Sequence, residues 1–150
     1  METLIWNIHA MSTWGLFGLI WTVQLLVYPQ FLAVGSGEWN TYHDNHMRRI
    51  TLIVAPLMLI ELGTAVLLLL FPPGGVELTQ VWFFGLGFTV LIWAVTVAVS
   101  VPLHGKLTDA WNQEYMRRLI RTNWLRTWGW TIRSAWVLLV SLDIMVISSA

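Results

Sequence analysis

The sequence predicts an all-α fold, an integral membrane four-helix bundle with short interfacial helical extensions on the cytoplasmic side. Three observations carry that prediction. Of 150 residues, 57% are apolar and only 11% charged, less than half the roughly 25% charged fraction of a soluble domain. Runs with one charge or none recur at the length of about 20 residues needed to cross a ~30 Å hydrocarbon core. Clusters of Gly, Pro and Ser separate the runs. The length allows a single domain, 1–150. Eight Lys+Arg against eight Asp+Glu, with no basic patch, argues against a nucleic-acid partner. The absence of Cys removes thiol catalysis, disulfides and thiolate metal sites.

The elements follow in order. The first span, about 10–34, carries no charge from Ala10 to Val34 and closes at Gly35-Ser36-Gly37. The residues before it include Glu2 and lack both a basic segment and a cleavage pattern, so a mature helix is expected rather than a signal peptide. The second span, about 48–71, holds one charge between Ile50 and Phe71, Glu61, and Pro72-Pro73-Gly74-Gly75 reads as a tight turn. The third, about 80–103, is uncharged from Val81 to Leu103, with Pro102 near its end. The fourth, about 122–148, reaches membrane length only by taking Arg126 and Arg133 into the bilayer. Four closed helices satisfy the backbone in lipid.

Arg48, Arg49, Lys106, Arg117, Arg118 and Arg121 all fall in the two long loops on one side, which places those loops in the cytoplasm and both termini on the non-cytoplasmic side. Glu38 to Arg49 and Thr108 to Arg121 mix aromatic and charged residues at helical spacing and are expected to extend the spans or lie at the interface. Trp6, Trp39, Trp82, Trp111 and Trp124 fit interfacial belts, as does His9 beside Trp6 and Asn7.

Ionisable residues in a bilayer are costly and face the bundle interior. On the fourth helix Asn123, Arg126, Trp130 and Arg133 share an arc of roughly 80°. The third offers Thr89, Trp93, Thr96, Ser100 and His104, and the first offers Trp14, Trp21, Gln24 and Tyr28. The second contributes His43, His46 and Glu61. Glu61 lies twelve residues past Arg49 and Arg133 twelve past Arg121. At about 1.5 Å per residue both sit ~18 Å deep, and an ion pair is the cheapest arrangement for them. Toward the cytoplasm Gln24, Ser100, Asn123, Arg126 and the three histidines are expected to line a cavity floored by Glu61–Arg133. Arg126 presents a planar donor fork for a carboxylate, phenolate, carbonyl or phosphate. His43, His46 and His104, with Glu61, are the candidate proton-transfer residues. The same three histidines are the candidate ligands of a metal ion, copper or iron. Trp21, Trp93 and Trp130 are expected to box a planar ligand.

Val101-Pro102-Leu103-His104-Gly105-Lys106-Leu107 and Asn123-Trp124-Leu125-Arg126-Thr127 resemble segments of the anthrone-oxygenase-like family of four-helix membrane proteins. The resemblance covers the last third of the chain and implies oxidation of a polycyclic phenol, with Asn123 and Arg126 as site residues; members carry Asn where this chain has His104. A weaker likeness, in the P-x-F after the first helix and His46-Met47-Arg48-Arg49 before I-x-x-P-x-M, is to the haem-dependent membrane protoporphyrinogen oxidases and implies haem as the second cofactor candidate. The expected function is an oxidoreductase or oxygenase acting on a planar, partly apolar small molecule, with the lipid bilayer and a second copy of the chain as further partners. The alternatives are a transporter or channel subunit using a Glu61–Arg133 relay, and a structural or assembly subunit.

Overall fold

The computed structural model describes residues 1–73 and 79–149. Four long helices run in alternating directions. Helix α1 comprises Glu2–Thr22, a π turn at Val23–Val27 and Tyr28–Phe31. Helix α2 is Trp39–Leu70. Helix α3 comprises Thr79–Val95, a second π turn at Thr96–Ser100 and Val101–Asp109, and α4 is Gln113–Ser149. Of these, α1, α2 and α3 are long and apolar enough to cross a membrane. In α4 the stripe Asn123, Arg126, Trp130 and Arg133 is buried, as its spacing predicts. The expected extensions are continuous with the spans, since α2 starts at Trp39 and α4 at Gln113. Of the turn expected at Pro72-Pro73-Gly74-Gly75, the two glycines lie outside the described residues.

The packing is cyclic. Helix α1 contacts α2 and α4, and α3 contacts the same two, while the diagonal pairs keep their backbones apart among the described residues and meet only through long side chains. Every helix therefore turns one face to a shared axis. Trp6, Leu68, Trp82, Val137 and Val140 pack the outer end, and Phe31, Trp39, Leu107, Met116 and Leu119 the loop end. Three tryptophans expected at interfaces are core residues instead: Trp6, Trp39 and Trp82 are buried. Their indoles face inward because partners exist there, Trp39 Nε1 donating to Leu107 O (2.7 Å) and Trp6 Nε1 to Ser141 Oγ (3.2 Å).

Each π turn ends two residues before a proline, Pro29 in α1 and Pro102 in α3. Proline supplies no N–H to the carbonyl four residues back and its ring crowds that carbonyl. Widening the preceding turn by one residue relieves the crowding. Pro56 sits inside α2 with no such turn, so proline permits the widening without dictating it. The consequence for α1 is a change of phase. Residues after Val27 are rotated relative to those before Val23, which bears on Tyr28; before the turn the buried face runs through Thr13, Leu16 and Ile20, one position from Trp14, which is exposed.

Candidate functional site

Two separate buried polar networks occupy the axis, one in the half toward the chain termini and one in the half toward the long loops.

The outer network centres on Glu61. Its carboxylate accepts from Thr13 Oγ1 (2.8 Å) and Trp130 Nε1 (3.2 Å) and lies 3.5 Å from Arg133 Nε. The expected Glu61–Arg133 pair is therefore present. Arg133 also donates through Nη2 to His9 Nε2 at 2.7 Å, and its guanidinium lies over the Trp136 ring at 5.0 Å. Thr64 donates to the carbonyls of Ile60 and Glu61, so its oxygen accepts from His9 Nδ1 (2.8 Å). That fixes His9 as a neutral ring protonated at Nδ1. His9 is fully buried rather than interfacial; it sits one turn before Thr13 on the same helix face, and that pairing was the sequence signal for it. The packing here is close: a Cβ on Gly85 would lie 2.7 Å from Trp136 and 3.2 Å from Arg133 Nη1.

The inner network begins at Tyr28, which the α1 π turn directs inward. Tyr28 Oη is 2.9 Å from His104 Nε2, His104 Nδ1 is 3.2 Å from His43 Nε2, and His43 Nδ1 is 3.4 Å from Thr108 Oγ1. Thr108 donates to the carbonyl of His104 (3.1 Å), so its oxygen is left to accept from His43. Working back, His43 carries its proton on Nδ1, His104 on Nδ1, and Tyr28 donates to His104 Nε2. All the donors point the same way, from Tyr28 toward Thr108, which is exposed at the loop end. The Trp39 indole stacks on His43 at 5.0 Å and 23° and holds its ring plane.

Beside Tyr28 stands Arg126, 6% exposed. Gln24 and Asn123 position it: Asn123 Nδ2 donates to Gln24 Oε1 (2.9 Å), Gln24 Nε2 donates to Ile120 O (3.2 Å), and Asn123 Oδ1 accepts from Arg126 Nη1 (3.2 Å). The guanidinium lies over the Trp130 ring at 5.3 Å. Arg126 Nε is buried with no hydrogen-bond partner, and so is Trp93 Nε1. Both residues line a cavity of about 280 Å³, together with Tyr28, His104, Ser100, Thr96 and a largely aliphatic wall that includes Met58. Its rim is formed by Thr51 and Leu59 of α2 and Val97 and Val101 of α3, all exposed, so the cavity opens sideways between these two helices. The volume is at the small end of ligand sites, roughly 300–1,000 Å³.

Several expectations need correcting. Glu61 and Arg133 do not floor this cavity: they pair with each other in the outer network and neither lines it. His43, His46 and His104 do converge, but not as a metal site: His43 and His104 turn ring nitrogens toward each other in a hydrogen bond, and His46 stacks beside His104 at 6.1 Å while lining a separate surface groove with Tyr42 and Arg49. Among the described residues no set of three His, Cys, Asp or Glu is placed to hold a metal ion. The tryptophan box does not form. Trp93 lines the cavity, Trp130 is bonded to Glu61, and Trp21 lies on the outer α1–α4 seam with Trp124 and Trp128, donating to Thr131 (3.0 Å). Gln24 and Asn123 position the site without lining it. Tyr28 and Thr108, absent from the expected site, are the two ends of its hydrogen-bond chain.

Comparison with known proteins finds no matching family model, no matching curated protein and no matching solved structure. The functional argument therefore rests on the geometry.

Proposed function

We propose that this protein is a four-span membrane oxidoreductase that binds a planar, partly apolar molecule in the cavity between α2 and α3 and takes a proton from it through Tyr28, His104 and His43. The one-sided distribution of Arg and Lys supports an orientation with both polar loops in the cytoplasm and both termini on the opposite side. The observation that carries the reading is the continuous chain Tyr28–His104–His43–Thr108, which begins at the cavity wall and ends at an exposed hydroxyl. The lateral opening supports a substrate that partitions into lipid, and the resemblance of the Pro102 and Arg126 segments to the anthrone-oxygenase-like family supports a polycyclic phenol.

In the proposed reaction an anthrone-type substrate, in its phenolic form, gives its hydroxyl proton to the chain. Tyr28 passes its proton to His104 Nε2 as it receives the substrate's, His104 Nδ1–H passes to His43, and His43 Nδ1–H leaves by Thr108. The resulting phenolate reacts with dioxygen at the ring CH that is the CH₂ of the anthrone form, the peroxide anion takes one proton back, and loss of water leaves a carbonyl there, so that anthrone and dioxygen give anthraquinone and water. The test is oxygen uptake by the purified protein in lipid nanodiscs with anthrone. Turnover in the wild type and a fall of about 10²–10⁴-fold in His104→Ala, with anthrone binding retained, are expected for loss of general acid–base transfer. No turnover above a heat-denatured control, or equal turnover in His104→Ala, overturns the reading.

A further inference from the structure

The charges buried in the bundle do not sum to zero, and the excess identifies the ligand class. Among the described residues, the buried side chains that carry a formal charge are Glu61, Arg126 and Arg133. Glu61 and Arg133 neutralise each other. Arg126 is left with amide and phenol neighbours, Asn123 and Tyr28, and with an indole face, none of which is an anion at neutral pH. Arginine keeps its proton even when buried, so the site cannot become neutral by titration. Its Nε and Trp93 Nε1 are buried donors without partners, and both residues line the cavity. Buried donors are nearly always satisfied in folded proteins. Arg133 Nε and Nη1 also lack a hydrogen bond, but a carboxylate lies 3.5 Å from Nε there, whereas at Arg126 the acceptor is left to whatever fills the cavity.

We infer that the ligand is an amphiphilic monoanion, a carboxylate or phenolate on an apolar body, that enters from the lipid through the α2–α3 opening and places its oxygen between Arg126 Nε and Trp93 Nε1. A single negative charge balances the single cation. A dianion such as a phosphate monoester would carry a second charge into a wall that is otherwise aliphatic. Exposed Leu59, Val97 and Val101 at the rim suit a body that remains in contact with acyl chains. This inference rests on the reading of the cavity as a ligand site, and the experiment separates the two.

Anthracene-2-carboxylate and its methyl ester share size, planarity and fluorescence and differ in charge. Each is titrated against the protein in neutral-lipid nanodiscs at pH 7.5, with its partitioning into empty nanodiscs subtracted. The acid is expected to bind at least 10-fold more tightly than the ester, and Arg126→Gln is expected to bring the two to parity by weakening the acid alone. Trp93→Phe, which keeps an aromatic ring and removes the N–H, is expected to weaken the acid and spare the ester. If Arg126→Gln fails to fold, the wild-type ratio and Trp93→Phe still decide. Acid and ester binding equally, with both displaced by each other, overturns the anion and leaves the cavity as a ligand site. Neither probe binding overturns both.

Discussion

The outer and inner polar networks lie in one bundle and each hold a buried arginine, a buried histidine and a threonine, yet they are organised for different ends. The outer is drawn from α1, α2 and α4 and the inner from all four helices. Around Glu61 the cation is answered by a carboxylate, and the surrounding side chains close tightly enough that Gly85 has no room for a methyl group. Around Arg126 the cation has no carboxylate and a cavity adjoins it, while unpartnered donors occur in both networks, at Arg126 and Trp93 here and at Arg133 there. Both networks contain a buried histidine whose tautomer is set by a threonine that spends its own proton on a backbone carbonyl. Burial and hydrogen bonding therefore do not distinguish them. Charge balance and packing do, and these mark the outer network as a lock between α1, α2 and α4 and the inner one as a site.

The contrast can be broken most directly at Glu61. Glu61→Leu strands Arg133 as a buried charge and is expected to cost about 3–5 kcal/mol, seen as a collapse of the unfolding midpoint in detergent; Glu61→Leu with Arg133→Leu should recover most of it. A midpoint unchanged in the single variant would mean that the outer network is not a lock. Next in size, Gly85→Ala forces a methyl group against Trp136 and is expected to cost about 1–3 kcal/mol by overpacking, again read as the unfolding midpoint. Arg126→Leu should behave in the opposite sense to removal of the outer pair's partner. It deletes a charge that no carboxylate balances, so the midpoint is expected to hold or rise while ligand binding is lost. The smallest effect is expected at Gly105, near His104, where an added Cβ meets nothing within 4 Å. Gly105→Ala is expected to gain about 0.5–1 kcal/mol from helix propensity alone.

Much of the site was legible residue by residue. In α4 the angular spacing of Asn123, Arg126, Trp130 and Arg133 gave the inward face, because that helix has no interruption. Counting residues from the basic edge gave the Glu61–Arg133 pair, because rise per residue is nearly constant. In α1 the same procedure failed. A wheel drawn at 100° per residue through Val23–Val27 puts Trp14 and Trp21 on the face of Gln24 and Tyr28, whereas before the π turn the buried face runs through Thr13, Leu16 and Ile20. Trp39 and His9 failed for another reason. Their residue types favour an interface, and only the nearby Leu107 carbonyl and the Arg133 guanidinium make the interior favourable for them.

Composition and periodicity settled that this chain is a helical membrane protein and which face of each uninterrupted helix turns inward, since both follow from solvation and from the fixed geometry of the α-helix. They also picked out Glu61, Arg133, Gln24, Asn123, Arg126, His43 and His104 of the two networks, but not His9, Thr13, Thr64 or Thr108. The division of those groups between a balanced lock and an unbalanced site was decided only when the helices packed. Charge neutralisation falls off over a few ångströms, and which carboxylate reaches which arginine depends on contacts between residues such as Thr13, Glu61 and Arg133 that lie up to 120 positions apart in the chain.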